Sequence, residues 1–112
     1  MGIIEKMRLD GKKGFVTGAA RGIGKCTATA FAEAGADVAI VDLDLAEARK
    51  TAEEIAGETG RKVIAVGTDC TDPKQVDEMV AQVVRELGGL DFCHNNAGTC
   101  INAPAEEMTY AQ

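Results

Sequence analysis

The sequence has no tryptophan and no serine, one histidine, one tyrosine and two prolines. Its four cysteines, Cys26, Cys70, Cys93 and Cys100, include no CxxC pair, and no secretory apolar segment stands ahead of them. That pattern speaks against a disulfide framework or a metal site and for reduced thiols in a cytoplasmic protein. The single histidine, His94, follows Cys93, but neighbours on a strand point to opposite faces, which excludes a Cys/His nucleophile pair. No apolar run approaches the roughly 18 residues that a membrane span needs, and the opening MGIIEK has Lys6 where a myristoylation signal needs Ser or Thr. Positive charge is scarce as well. Twelve Lys and Arg against 18 Asp and Glu leave a net charge of −6, which argues against nucleic acid or an acidic membrane as a partner, since phosphate groups are held mainly by Lys and Arg. Repeats, low-complexity tracts and interdomain linkers are absent, and a small molecule is the expected ligand.

What is there is the material of one soluble α/β domain with one core: 112 residues, 46% apolar and 27% charged, with thirteen glycines. The chain is organised around Gly14 to Gly24, GFVTGAARGIG, where an apolar run ends in a glycine-rich turn and a helical pattern begins at once. Phe15 and Val16 read as the end of a buried strand. Gly18, Gly22 and Gly24 supply backbone without Cβ where a ligand or a neighbouring strand must come close. A pyrophosphate can sit on the free N–H groups of the helix that follows. The spacing is GxxxGxG, so the general GxGxxG dinucleotide fingerprint fails.

Beyond the turn, Ile23, Cys26, Thr27, Ala30, Phe31 and Ala34 fall on one predicted helical face, ended by Gly35. Asp37 to Asp42, DVAIVD, reads as a parallel strand covered on both faces. Asp44 with Glu47 predicts a capping box for a second helix, with inner face Leu45, Ala48, Ala52, Ile55 and Ala56 and an end at Gly57 and Gly60. Lys62 to Thr68 is a third strand. Asp72, Pro73 and Gln75 open a third helix whose stripe is Val76, Met79, Val80, Val83, Val84 and Leu87, broken by Gly88 and Gly89. Leu90 to His94 is a fourth strand running into NNAG, Asn95 to Gly98. This β-α-β-α-β-α-β alternation predicts a doubly wound parallel sheet in order 3-2-1-4 with helices on both faces, and a ligand at the reversal between the first and fourth strands. Thr109 with Gln112 forms a further capping signal, TxxQ, at which the chain is expected to be cut short, leaving residues 1–112 as a single dinucleotide-binding domain.

With Thr17 in front, the turn reads TGAARGIG and resembles the TGxxxGIG turn of the short-chain dehydrogenase/reductase family, whose second signature NNAG resembles. The resemblance covers essentially the whole chain and implies a Rossmann-type α/β/α fold. Carried over to these positions, Gly18, Ala19, Ala20, Arg21, Gly22, Ile23 and Gly24 bind the pyrophosphate and adenosine ribose mainly through backbone, and Thr17 braces the two loops. Asn96, Ala97 and Gly98 line the ribose on the nicotinamide side. Asp69 and Cys70, at the end of the third strand, match the adenine edge. Asp42, with Leu43 beside it, ends the second strand 24 residues after Gly18, where an acid takes both ribose hydroxyls and repels a 2′-phosphate. NAD is therefore expected over NADP, although Arg21 is a basic residue able to welcome that phosphate.

The family's chemistry uses a Tyr acid whose pKa, about 10 when unperturbed, is lowered by a Lys four residues on, with a Ser polarising the substrate oxygen. Here the only tyrosine, Tyr110, comes too early to match and there is no serine, so no catalytic residue is assigned. The reading is the cofactor-binding part of an oxidoreductase that moves a hydride between NAD and a secondary alcohol or ketone. Sugar polyols and keto-acyl compounds are the first substrates to try, and a homo-oligomer is the expected full-length form. Two alternatives stay open: a stand-alone NAD-binding or regulatory module without catalysis, and a methyltransferase, which also places a glycine-rich turn after its first strand and an acid after its second.

Overall fold

Phe15 and Val16 are both buried, one on each face of a strand, and the molecule is layered outward from there. The computed structural model describes residues 8–96. Lys13–Thr17 forms β1, Gly22–Glu33 α1, Asp37–Asp42 β2, Leu45–Thr59 α2, Val63–Gly67 β3, Pro73–Leu87 α3 and Phe92–His94 β4. All strand pairs are parallel and the sheet order is β3-β2-β1-β4, as the alternation predicts. β1 pairs with β2 from Lys13 opposite Asp37 to Thr17 opposite Val41, and with β4 from Gly14 opposite Phe92 to Val16 opposite His94.

Period-two alternation sends the two halves of each strand to different cores. Val16, Val38 and Ile40 pack with Ala28 and Ala32 of α1 and with Ala48, Ala52 and Ile55 of α2. Phe15, Ala39, Val41 and Val66 pack with Met79, Val83 and Leu87 of α3 on the other face. Cys93 joins the α3 side, while the His94 ring lies 6.2 Å from that of Phe31 in α1. The two neighbours therefore serve opposite faces, as strand geometry requires.

One predicted face was misaligned. In α1 the buried residues are Gly24, Ala28 and Ala32, whereas Ile23, Cys26 and Ala30 are exposed. Small residues at i, i+4 and i+8 let the helix lie close on the sheet, and that close approach outweighs the burial of larger side chains one position away. α2 buries Ala48, Ala52 and Ile55 as predicted, adds Thr51, and runs through Gly57 to end at Gly60, which is left-handed at φ 73°. α3 turns Met79, Val83 and Leu87 inward and leaves Val84 exposed.

The cap of α2 is only half the box expected, and α3 opens on Asp72 and Pro73 as read from the sequence. Asp44 accepts from the Glu47 N–H at 3.1 Å, but the Asp44 N–H donates to Asp42 Oδ1, also at 3.1 Å, because that carboxylate lies only two residues back. Asp72 accepts from the Lys74 N–H at 3.0 Å, while Gln75 Oε1 takes the N–H of Asp69 at 2.9 Å. Both helices nonetheless begin on an aspartate cap.

Candidate functional site

At the carboxyl edge of the sheet, the glycine-rich turn after β1 lies beside Asn95 and Asn96 after β4, at the reversal of strand order where an open parallel sheet leaves a crevice. Thr17, fully buried at the end of β1, ties the two sides together. Its hydroxyl donates to Asn95 Oδ1 at 3.1 Å and accepts from the Asn96 N–H at 2.9 Å. The bracing role expected of Thr17 is thus a pair of hydrogen bonds between the glycine-rich turn and the end of β4.

The turn itself is left-handed twice, at Gly18 with φ 64° and at Gly22 with φ 66°, where a side chain would be strained. A Cβ on Gly22 would meet nothing within 4 Å, so its backbone faces open space. Gly24 is required for another reason. A Cβ there would collide with the Gly18 carbonyl oxygen and stand 2.9 Å from Asn96 Nδ2, so the first turn of α1, the loop and the β4 end converge on a point with no room for a methyl.

Helix α1 starts differently from the other two. Its N-cap, Arg21, is extended at φ −156° and ψ 171° like theirs, but it makes no side-chain cap hydrogen bond where Asp44 and Asp72 each make one. The N–H groups of Gly22, Ile23 and Gly24 come before that of Lys25, the first to bond back along the helix, to the Arg21 carbonyl at 3.4 Å, so they and the helix dipole are left to whatever lies in front. That is an anion site in its general physics. The Arg21 side chain swings away to Asp44 at 3.4 Å and Glu47 at 3.9 Å, exposed ion pairs of little energetic weight.

Asp42, at the end of β2, holds the turn as well as facing it. Its Oδ2 accepts from the Ala20 N–H at 3.1 Å while its Oδ1 takes the Asp44 N–H, and the Ala19 N–H bonds the Val41 carbonyl at 3.3 Å. Each carboxylate oxygen has two acceptor positions, so capacity remains for hydroxyl donors. Two of the large apolar side chains exposed among the described residues flank this mouth: Ile23, 76% exposed, and Leu43, 75% exposed.

Asp69 and Cys70 stand after β3, two strands from the turn on the same edge. The Asp69 carboxylate bonds stay within its own loop, Oδ1 accepting from the Thr71 hydroxyl at 2.6 Å and the Thr71 N–H at 3.0 Å. These bonds hold its carboxyl below the usual aspartate value. Asn96 reaches the centre of the site, and Ala97 and Gly98 lie outside the described residues. Thr51 is the residue missed from sequence. Its hydroxyl, buried in α2, donates to the Ala20 carbonyl at 2.6 Å. The only signal available was a threonine three residues after Ala48 and four before Ile55, on the apolar stripe.

Comparison with known proteins shows the family and the fold. The family model described as short chain dehydrogenase matches residues 12–112. Over 103 residues the chain is 44% identical to a sorbitol dehydrogenase from Cereibacter sphaeroides and 45% identical to a galactitol 2-dehydrogenase from Agrobacterium fabrum, covering 92% of this chain and 39% of each relative. Among solved structures, a short-chain type dehydrogenase/reductase from Mycobacterium marinum has a TM-score of 0.78 at 42% identity, over 83% of this chain and 37% of that one. The chain thus spans about two fifths of the length of the curated relatives it matches.

Proposed function

The chain belongs to the short chain dehydrogenase family, and from that premise we propose that it forms the cofactor-binding part of an NAD-dependent oxidoreductase acting on a secondary alcohol or ketone. The observation that carries the reading is the uncapped start of α1, packed at Gly24 against Gly18 and Asn96 where Thr17 ties β1 to the end of β4, with Asp42 across the mouth. The residues present fit a dinucleotide. Gly22, Ile23 and Gly24 offer a pyrophosphate N–H donors that have no partner among the described residues, Gly22 faces space that no described side chain fills, and Asp42 keeps acceptor capacity for ribose hydroxyls. Ala97 and Gly98 belong to the same site in this proposal, on the nicotinamide side with Asn96, and Asp69 and Cys70 belong to its adenine edge. Bound there, the nicotinamide supplies the hydride donor or acceptor, and this chain's residues hold and orient it.

NAD is favoured over NADP by the charges around the ribose position. A 2′-phosphate there meets the carboxylate of Asp42 with Asp44 and Glu47 nearby, and Arg21 already faces the latter two. A polyol is the first substrate proposed, because the similar relatives are named for sorbitol and galactitol. The test is titration of the intact protein that carries this sequence with NADH and NADPH, followed by assays of sorbitol and galactitol oxidation and of ketone reduction. NADH is expected to bind more tightly, with NAD-linked turnover of at least one polyol. Preference for NADPH would overturn the cofactor assignment, and failure to bind either would overturn the whole reading.

A further inference from the structure

We propose that Thr51 is a positioning residue for the pyrophosphate, acting through the backbone of Ala20, an inference that rests on the dinucleotide reading above. Threonines inside helices ordinarily return their hydroxyl proton to the carbonyl four residues back. Two threonines of this chain do so, Thr29 to Lys25 at 2.8 Å and Thr59 to Ile55 at 2.8 Å. Thr51 does not. Its proton goes 31 residues back along the chain to the Ala20 carbonyl, at 2.6 Å, in an environment where Thr51 and Ala20 are each 2% exposed.

The partner chosen is the residue that sets the geometry of the site. Asp42 already holds the Ala20 N–H, so the peptide units on both sides of Ala20 are fastened by side chains from two other elements. No peptide bond among the described residues is cis, and in a planar trans peptide the N–H points opposite to the C=O. Drawing the Ala20 carbonyl towards α2 therefore turns the Arg21 N–H away from α2 and fixes the angle at which the chain enters α1. The donors of Gly22, Ile23 and Gly24 follow directly. Without the hydroxyl, the Ala20 carbonyl is a buried acceptor with no partner, and the peptide gains by rotating towards water. That rotation would tilt the anion-binding donors, whereas the adenosine positions at Asp42 and beyond would stay where the sheet holds them.

The experiment compares Thr51→Val, which keeps shape and removes the donor, with Thr51→Ser, which keeps the donor and removes a methyl. The intact protein is used, and affinities for NADH, ADP and adenosine are measured alongside melting. Thr51→Val is expected to weaken NADH and ADP about tenfold while leaving adenosine within about twofold, and Thr51→Ser is expected to restore ADP. The ADP-to-adenosine ratio is read on folded molecules only, so partial unfolding lowers both affinities together and leaves it unchanged. Equal losses for ADP and adenosine, or unchanged ADP binding in Thr51→Val, would overturn the inference. Should the valine variant yield no folded protein, Thr51→Cys, similar in size with a weak S–H donor, is expected to show the same selective loss in smaller degree, and an unaltered ratio there overturns it. A wild-type protein that binds none of the three ligands would sink the dinucleotide reading itself, and this inference with it.

Discussion

Gly24 and Asp42 show two ways in which one residue serves the cleft. In a helix, alanine is ordinarily better than glycine by about 0.5–1 kcal/mol, yet at Gly24 the added methyl meets the Gly18 carbonyl and the Asn96 side chain. Overpacking of that kind costs roughly 1–3 kcal/mol, and here the neighbour is backbone, which cannot step aside. Gly24→Ala is therefore expected to lower the melting temperature and to weaken NADH at least tenfold. Unchanged affinity would mean that the convergence at Gly24 is not part of the site. Asp42 acts through charge and also through two accepted backbone N–H bonds. Asp42→Ala should weaken NADH and relieve the repulsion of a 2′-phosphate, moving the NADPH-to-NADH ratio by at least tenfold, about 1.4 kcal/mol. Absolute affinity for both should fall, because the Ala20 and Asp44 N–H groups lose their acceptor. A ratio that stays put in paired titrations would remove Asp42 from cofactor choice and leave it as a clamp of the turn.

Among the described helices, α1 is the one without a side-chain cap. α2 and α3 each begin on an aspartate whose side chain accepts a first-turn N–H, and such a cap stabilises by about 1 kcal/mol. Placing one on α1 sets stability against binding. Arg21→Asp, at an N-cap already in the extended conformation a cap requires, should hold or raise the melting temperature. It should also weaken NADH by at least tenfold, since its carboxylate takes the donors and repels the pyrophosphate. Improved NADH binding in that variant would argue that the phosphates lie elsewhere. The helices also mark how far pattern reading carries. α3, with aliphatic side chains on one face and an Asp-Pro start, was legible almost residue by residue. The face of α1 was not, because its packing is decided by which small residues allow closest approach, and alanine, glycine and cysteine look alike in a hydrophobic stripe.

For the molecule as a whole, the two ends of the sheet are kept in separate hands. At the edge opposite the cleft, Asp37 of β2 accepts from Lys13 Nζ at 3.1 Å, Arg61 at 3.0 Å and the Lys62 N–H at 3.3 Å, linking the starts of β1, β2 and β3. Burial pushes its carboxyl up, but the hydrogen bonds from Lys13, Arg61 and Lys62 outweigh that and hold it below the ordinary aspartate value. A lowered folded pKa means stability that is present above the unfolded value, about 3.9, and lost as pH falls through the lower folded one. Asp10, Glu54 and Asp69 are also lowered but are solvent-exposed, where screening leaves little effect. Asp37→Asn is expected to destabilise by roughly 1–2 kcal/mol at neutral pH, to flatten the loss of stability below about pH 4, and to leave NADH affinity unchanged. Melting curves from pH 3 to 7 check the first two. An acid limb as steep as that of the unsubstituted protein would show that other carboxylates govern it.

By itself the sequence determined the alternation of elements, the parallel order 3-2-1-4 and the position of the glycine-rich turn. These depend on local periodicity, on helix caps and breakers, and on the short connections that a doubly wound sheet permits. It also brought Gly18, Asp42 and Asn96 to one edge, because strand ends in that order have nowhere else to go. Only the tertiary structure decided how the turn is held: Thr51 on Ala20, Asp42 on two N–H groups, Gly24 against Gly18 and Asn96. Each of these is a contact between residues distant in the chain, chosen by the direction of a single donor or the space left by a missing Cβ. No period along the sequence encodes such a direction, which exists only once the sheet and its helices have packed.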